Sequence, residues 1–102
     1  MSKYQGWHNY ETWNVALWFG NDERLYKMVL RAGGERPFTP ASARALTERV
    51  FPHGTPDLKS MGGAKAYAKV DWQEIADDFN EMSAHARPRA LANRSRATRT
   101  RR

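Results

Sequence analysis

Between Asn9 and Gly20 the chain reads Asn-Tyr-Glu-Thr-Trp-Asn-Val-Ala-Leu-Trp-Phe-Gly, and Tyr10, Trp13, Ala16, Leu17 and Gly20 recur at helical spacing. Asn9 can accept from the first free backbone amides, and Gly20 can take the left-handed conformation that ends a helix. Val15, Trp18 and Phe19 make much of the remaining surface apolar as well. A helix apolar on most sides is usually central, so this first helix is expected at the middle of the fold.

Asn21 can cap a second helix that runs to about Ala32. Asp22 and Glu23 lie in its first turn, where the helix dipole favours anions, and Gly33 and Gly34 act as the stop. Leu25, Met28, Val29 and Ala32 form its apolar stripe. Thr39 and Pro40 begin a third helix that turns Ala43, Leu46 and Val50 inward and ends before Pro52. Prolines and glycines from Pro52 to Gly63 predict a loop, within which Thr55 and Pro56 can begin one helical turn, and Ala64 to Lys69 suits a short helix. Asp71 opens the last helix with a capping box, because Glu74 follows three residues on, and Val70 and Ile75 take the two positions of a hydrophobic staple. Trp72, Ile75, Phe79 and Met82 make one stripe on this helix, expected to pack on the first.

These elements predict an all-α protein: a compact bundle of about four helices spanning residues 1–82, followed by a tail at 83–102 that is expected to be disordered by itself. Four each of Trp, Tyr and Phe in 102 residues supply an aromatic-rich core. The motif residues Trp7, Tyr10, Trp13, Leu17 and Trp18, with Trp72, Ile75 and Phe79, are assigned to that core, since large aromatics at helical spacing usually bury. The competing reading of the tryptophans and Tyr10, a base-stacking surface, has only Lys3 as a basic neighbour among the first twenty residues.

Charge changes the picture once it is counted by segment. The chain carries a formal +6. Residues 1–82 hold ten Lys/Arg against all eleven Asp/Glu, whereas residues 83–102 hold Arg87, Arg89, Arg94, Arg96, Arg99, Arg101 and Arg102 and no acid. The high pI therefore belongs to the tail, and the body reads as electrostatically ordinary. Arginines packed without counter-acids repel one another, and such arms bind phosphates through the planar guanidinium fork. On the last helix Glu74, Asp77, Asp78 and Glu81 share one face, away from the apolar stripe. That face is a solvated surface, a latch for the arginine tail, an acidic docking surface or a cation site.

The segment Gly6-Trp7-His8-Asn9-Tyr10-Glu11-Thr12-Trp13-Asn14-Val15-Ala16-Leu17-Trp18 resembles the opening signature of small uncharacterised proteins of bacteriophages and other mobile elements, a Gly-Trp-x-Asn-Tyr-Glu-Thr-Trp pattern followed by Leu-Trp. Val70 to Ala76, Val-Asp-Trp-Gln-Glu-Ile-Ala, is similar to the final helix of that family. The resemblance implies a phage-type accessory protein and brings no catalytic residues. The arginine tail lies outside both motifs.

Other chemistry finds little support in the sequence. Cysteine is absent, which excludes disulfides, thiolate metal sites and cysteine nucleophiles. His8, His53 and His85 are too scattered to suggest a metal site or a catalytic triad. Ser60-Met61-Gly62-Gly63-Ala64-Lys65 lacks the full spacing of a phosphate-binding loop and reads as a glycine turn. No cofactor is expected. Met1 to Gly6 is polar and no apolar run of membrane-spanning length follows, so cytoplasmic residence in a host cell is expected, without membrane contact. The functional expectation is a non-catalytic accessory protein that binds nucleic acid non-specifically through Arg87, Arg89, Arg94, Arg96, Arg99, Arg101 and Arg102 while the body docks a partner. The alternative is a protein-binding inhibitor or modulator of a host machine, for example an anti-defence protein, with the tail incidental.

Overall fold

A computed structural model describes residues 4–86. The elements are α1 (Tyr10–Asn21), α2 (Glu23–Glu35), α3 (Pro40–Val50) and α4 (Trp72–Ala86), with short 3-10 segments at Lys59–Met61 and Gly63–Lys69. The fold is all-α. Among the described residues the only extended pairing is the isolated bridge between Tyr4 and Trp7.

Local capping chemistry sets most boundaries. The Asn9 side chain accepts from the Thr12 amide at 2.9 Å and starts α1. Thr39 and Ser42 form a reciprocal capping box at α3, with Pro40 in the first turn. Asp71 accepts from the Glu74 amide at 3.1 Å and starts α4. Before α1, residues 4–7 fold into a tight turn in which Tyr4 and Trp7 exchange backbone hydrogen bonds of 2.8 and 2.7 Å. Gln5 and Gly6 both take positive φ there, 52° and 87°, the geometry for which glycine is favoured at the second position.

Two expected boundaries move. Gly20 stays helical, α1 continues to Asn21, and Asp22 rather than Asn21 caps α2 by accepting from the Leu25 amide at 3.1 Å. Asp22 also gives its own amide to Trp18 at 3.2 Å, so one extended residue ends α1 and starts α2 without a left-handed glycine. Gly33 and Gly34 do not stop α2, which continues to Glu35. Gly33 marks a close helix crossing instead: a Cβ there would run into the Ser83 hydroxyl, lie 2.6 Å from Ser83 Cβ and lie 3.2 Å from the Phe38 ring.

The central element is α4, not α1. It touches α1, α2 and α3, whereas α2 and α3 pack on α4 more closely than on each other. Ile75, Ala76 and Phe79 have no exposed surface, and the Phe79 ring meets Phe19 at 5.1 Å and Phe38 at 5.0 Å between centroids. Asn80 locks the α2–α3 connection to α4, accepting from the Phe38 amide at 2.6 Å and donating to the Phe38 carbonyl at 3.0 Å. Ser83 is buried and donates to the carbonyls of Phe79 and Val29. The folded body therefore passes the expected boundary at Met82 and includes at least the turn to Ala86. The expected disorder of the tail, and Arg87, Arg89, Arg94, Arg96, Arg99, Arg101 and Arg102 with it, lie outside the described residues.

The core assignments are corrected at several positions. Ile75 and Phe79 are in the core, and Trp7, Tyr10, Trp18 and Trp72 pack at its margin. Trp13 and Leu17 are outside it; the inward side of α1 carries Thr12, Val15, Ala16 and Phe19. Tertiary partners decided between two faces that are both apolar. Met28 likewise leaves the expected stripe of α2 and is 37% exposed.

Candidate functional site

Polar residues of the two sequence motifs meet one another. The Asn9 side chain donates to the Lys69 carbonyl at 2.7 Å while its oxygen accepts from the Thr12 amide and hydroxyl. The fully buried Thr12 hydroxyl oxygen in turn accepts from the Asp71 amide at 2.9 Å. The expected capping box of α4 is therefore only half formed. Asp71 gives its amide to α1, and Glu74 accepts from the His8 amide at 2.9 Å instead of reaching back to Asp71. Each motif supplies the acceptors for the other's chain entry.

A second polar junction ties the loop after α3 to the same helix. Asn14, with no exposed surface, accepts from the buried Thr55 hydroxyl at 2.5 Å and donates to Asp57 at 2.8 Å. The Trp18 indole donates to the same Asp57 oxygen at 2.9 Å. Those two hydrogen bonds, Asn14 first, hold the Asp57 carboxyl below the usual carboxylate range. Leu17, Trp18, Asn21, Asp22 and Asp57 rim a shallow hollow beside this junction. Trp13 stands on the outer side of α1 in a trio with Tyr4 and Tyr10, with ring centroids 4.9 to 5.4 Å apart.

The acidic row of α4 is assembled as its spacing predicts. Glu74, Asp77, Asp78 and Glu81 line one shallow hollow together with Gly6 and Trp7. Burial, reinforced by Glu81 and Glu74, pushes the Asp78 carboxyl up to about 6. No group of three or more His, Cys, Asp and Glu among the described residues is placed to hold a metal ion. Ser60 to Lys65 joins the two 3-10 segments, with Gly62 and Gly63 at positive φ, and no strand leads into it.

Four of the body's arginines are gathered on one surface. Because α2 and α3 each pack on α4 and scarcely touch one another, a groove lies between them, a hollow of about 570 Å3 lined by Arg24, Leu25, Met28, Arg31, Arg49 and Val50, among others. It adjoins a smaller one of about 220 Å3 that includes Arg36, Phe38 and Leu46 and shares Arg49 and Ala32. Among the described residues the ion pairs are Lys27–Glu23 and Arg44–Glu48, so Arg24, Arg31, Arg36 and Arg49 are unpaired. The fifth arginine of the body, Arg44, is occupied by Glu48 at 2.9 Å and lies 5.8 Å over the Trp72 ring. A sequence signal for the groove existed. Arg24, Met28, Arg31 and Glu35 fall at i, i+4, i+7 and i+11 on one helix face.

A family model described as "Family of unknown function (DUF7249)" matches residues 1–88. The chain belongs to this family. The DUF7249 match takes in both motifs, all four α-helices and the arginine groove, and of the tail arginines it includes Arg87 alone. No curated protein and no solved structure matches the chain. Among the described residues no helix is long and apolar enough to cross a membrane.

Proposed function

We propose that this chain is a non-catalytic, phage-type accessory protein of the host cytoplasm, which holds nucleic acid without sequence preference through its arginine tail while the helical body docks a partner. The observation that carries this reading is the charge distribution: seven arginines and no acid in residues 83–102, beside a body that is close to neutral. The absence of catalysis is supported by how the motif side chains are used. Asn9, Thr12, Asn14, Asp71 and Glu74 each hydrogen-bond within the fold and serve the packing of α1, α4 and the loop. The acidic row of α4 acts in this reading as a competitor for the tail.

Fluorescence anisotropy with a short labelled duplex over a salt series tests both parts. With about five tail arginines on phosphates, the log of the binding constant falls with log salt at a slope of about −4 to −5, and scrambled sequences bind alike. Replacing Arg99, Arg101 and Arg102 by Ala flattens the slope by about 2–3. Changing Glu74, Asp77, Asp78 and Glu81 to their amides strengthens binding if the row competes for the tail. Unmeasurable binding at low salt removes the nucleic-acid reading, and unchanged affinity in the amide variant removes only the competition.

A second reading, a protein-binding modulator of a host machine such as an anti-defence protein, is favoured by one observation. Tyr4, Tyr10 and Trp13 form an aromatic trio on the outer side of α1, and neither Trp13 nor Leu17 is needed in the core. Substituting the tail arginines separates the two, because a modulator acting through that face keeps its effect.

A further inference from the structure

We infer that the groove between α2 and α3 is a second nucleic-acid contact, seating the phosphate backbone of a double helix on Arg24, Arg31 and Arg49, with Arg36 at its edge. The inference rests on the nucleic-acid reading above and names a site within the folded body. Charge complementarity carries it. Four of the body's five arginines line this groove and its extension, none is in an ion pair among the described residues, and Glu35 is the one acid in the lining. Arginines left unpaired along a concave surface present their N–H donors outward, which suits phosphate oxygens spaced along a strand.

The chemistry of the lining selects the backbone rather than the bases. Leu25, Met28, Ala32 and Val50 supply aliphatic surface, and the larger hollow has no aromatic ring on which an unpaired base could stack. Single-strand binders depend on such rings, so their absence here favours a duplex held through its phosphates. The exposed-side aromatic trio of Tyr4, Tyr10 and Trp13 stands elsewhere, on the outer side of α1, where the carboxylates of Asp57 and Glu11 act on Tyr10. A groove of this kind fixes the body against the helix while the tail adds sequence-blind attraction.

The test compares four full-length proteins on the same labelled duplex over a salt series. These are the wild type, Arg24→Ala/Arg31→Ala/Arg49→Ala in the groove, Lys59→Ala/Lys65→Ala/Lys69→Ala, which removes equal formal charge from another face, and Arg99→Ala/Arg101→Ala/Arg102→Ala in the tail. With three groove contacts added to about five from the tail, the wild-type slope steepens to about −7; the groove variant is expected to flatten it by about 2–3, as the loss of three phosphate contacts requires, and the lysine variant by less than 1. If the groove and lysine variants weaken binding equally, net charge and not a site is responsible, and the inference is overturned. It is also overturned if the groove variant keeps the wild-type slope while the tail variant loses it; the broader nucleic-acid reading then stands. Failure of the wild type to bind at low salt overturns both. Should the alanine variant melt early, Arg31→Glu set against Lys65→Glu supplies the same comparison: a larger loss of duplex affinity in Arg31→Glu supports the groove, and an equal loss or none refutes it.

Discussion

The junction where α1, α4 and the loop at 52–58 meet and the groove between α2 and α3 use polar side chains in opposite ways. In the junction, Thr12, Asn14 and Thr55 have no exposed surface, and each hydrogen-bonds a group that lies far away in sequence or caps a neighbouring turn. In the groove, guanidinium groups stand beside aliphatic surface without a carboxylate partner among the described residues. A polar group with its hydrogen bonds made inside the fold contributes to stability and has little left for a ligand. An unpaired surface arginine contributes little to stability and remains available. Substitutions in the junction should therefore move the melting temperature, and substitutions in the groove should move binding.

The largest effect expected is at the aromatic contact of the core beneath both regions. Phe79→Ala removes a ring touching both Phe19 and Phe38 and should cost about 3–5 kcal/mol, most of what a domain of this size has to lose. Trp13→Ala takes away a larger side chain from the outer side of α1 and should cost only about 1 kcal/mol, the scale of its ring contacts with Tyr4 and Tyr10. Urea melts of the two variants decide the matter. Equal losses would return Trp13 to the core and undo the assignment of the inward face.

An intermediate effect is expected from Asn14→Leu, which leaves the Thr55 hydroxyl without its acceptor and Asp57 without its strongest hydrogen bond. A loss of about 1–3 kcal/mol follows from the buried group left unsatisfied, with duplex affinity unchanged once the protein is folded. Lost affinity in a folded Asn14→Leu protein, measured by anisotropy below its melting temperature, would blur the division between the two regions. Replacing the groove arginines by Ala should in turn shift stability by no more than about 0.5 kcal/mol.

The smallest effect concerns pH. Burial first, then Glu81 and Glu74, lifts the Asp78 carboxyl to about 6, above its ordinary value of 3.8. Between those values the folded protein binds more protons than the unfolded chain, so stability falls as pH rises from about 4 to 6 and the penalty is complete above the folded value. Asp78→Asn should flatten that part of the profile and raise the melting temperature at neutral pH. A wild-type curve that rises over the same interval would show that Asp78 is well solvated.

Much of the architecture was legible because helix signals are local. Asn9, Thr39 and Asp71 each cap a helix by accepting from an amide three residues on, and the acidic row of α4 needs only helical spacing. Glycine misled twice for the same reason. Gly20 and Gly33 read as helix ends when only neighbours in sequence are considered, yet α1 and α2 both run through them, and the reason for Gly33 is Ser83, fifty residues away.

The sequence by itself determined the all-α class, nearly every helix start, the pairing of charge with segment and membership of a family of unknown function, since these depend on composition, on residue order and on contacts within one helical turn. Only the tertiary structure decided which side of α1 is inside, that α4 is the central helix, and that arginines from α2 and α3 share one groove. On a helix apolar all round, periodicity cannot choose a face. The choice is made by partners such as Phe79, Asp71 and Asp57, whose distance along the chain leaves no trace in the local pattern.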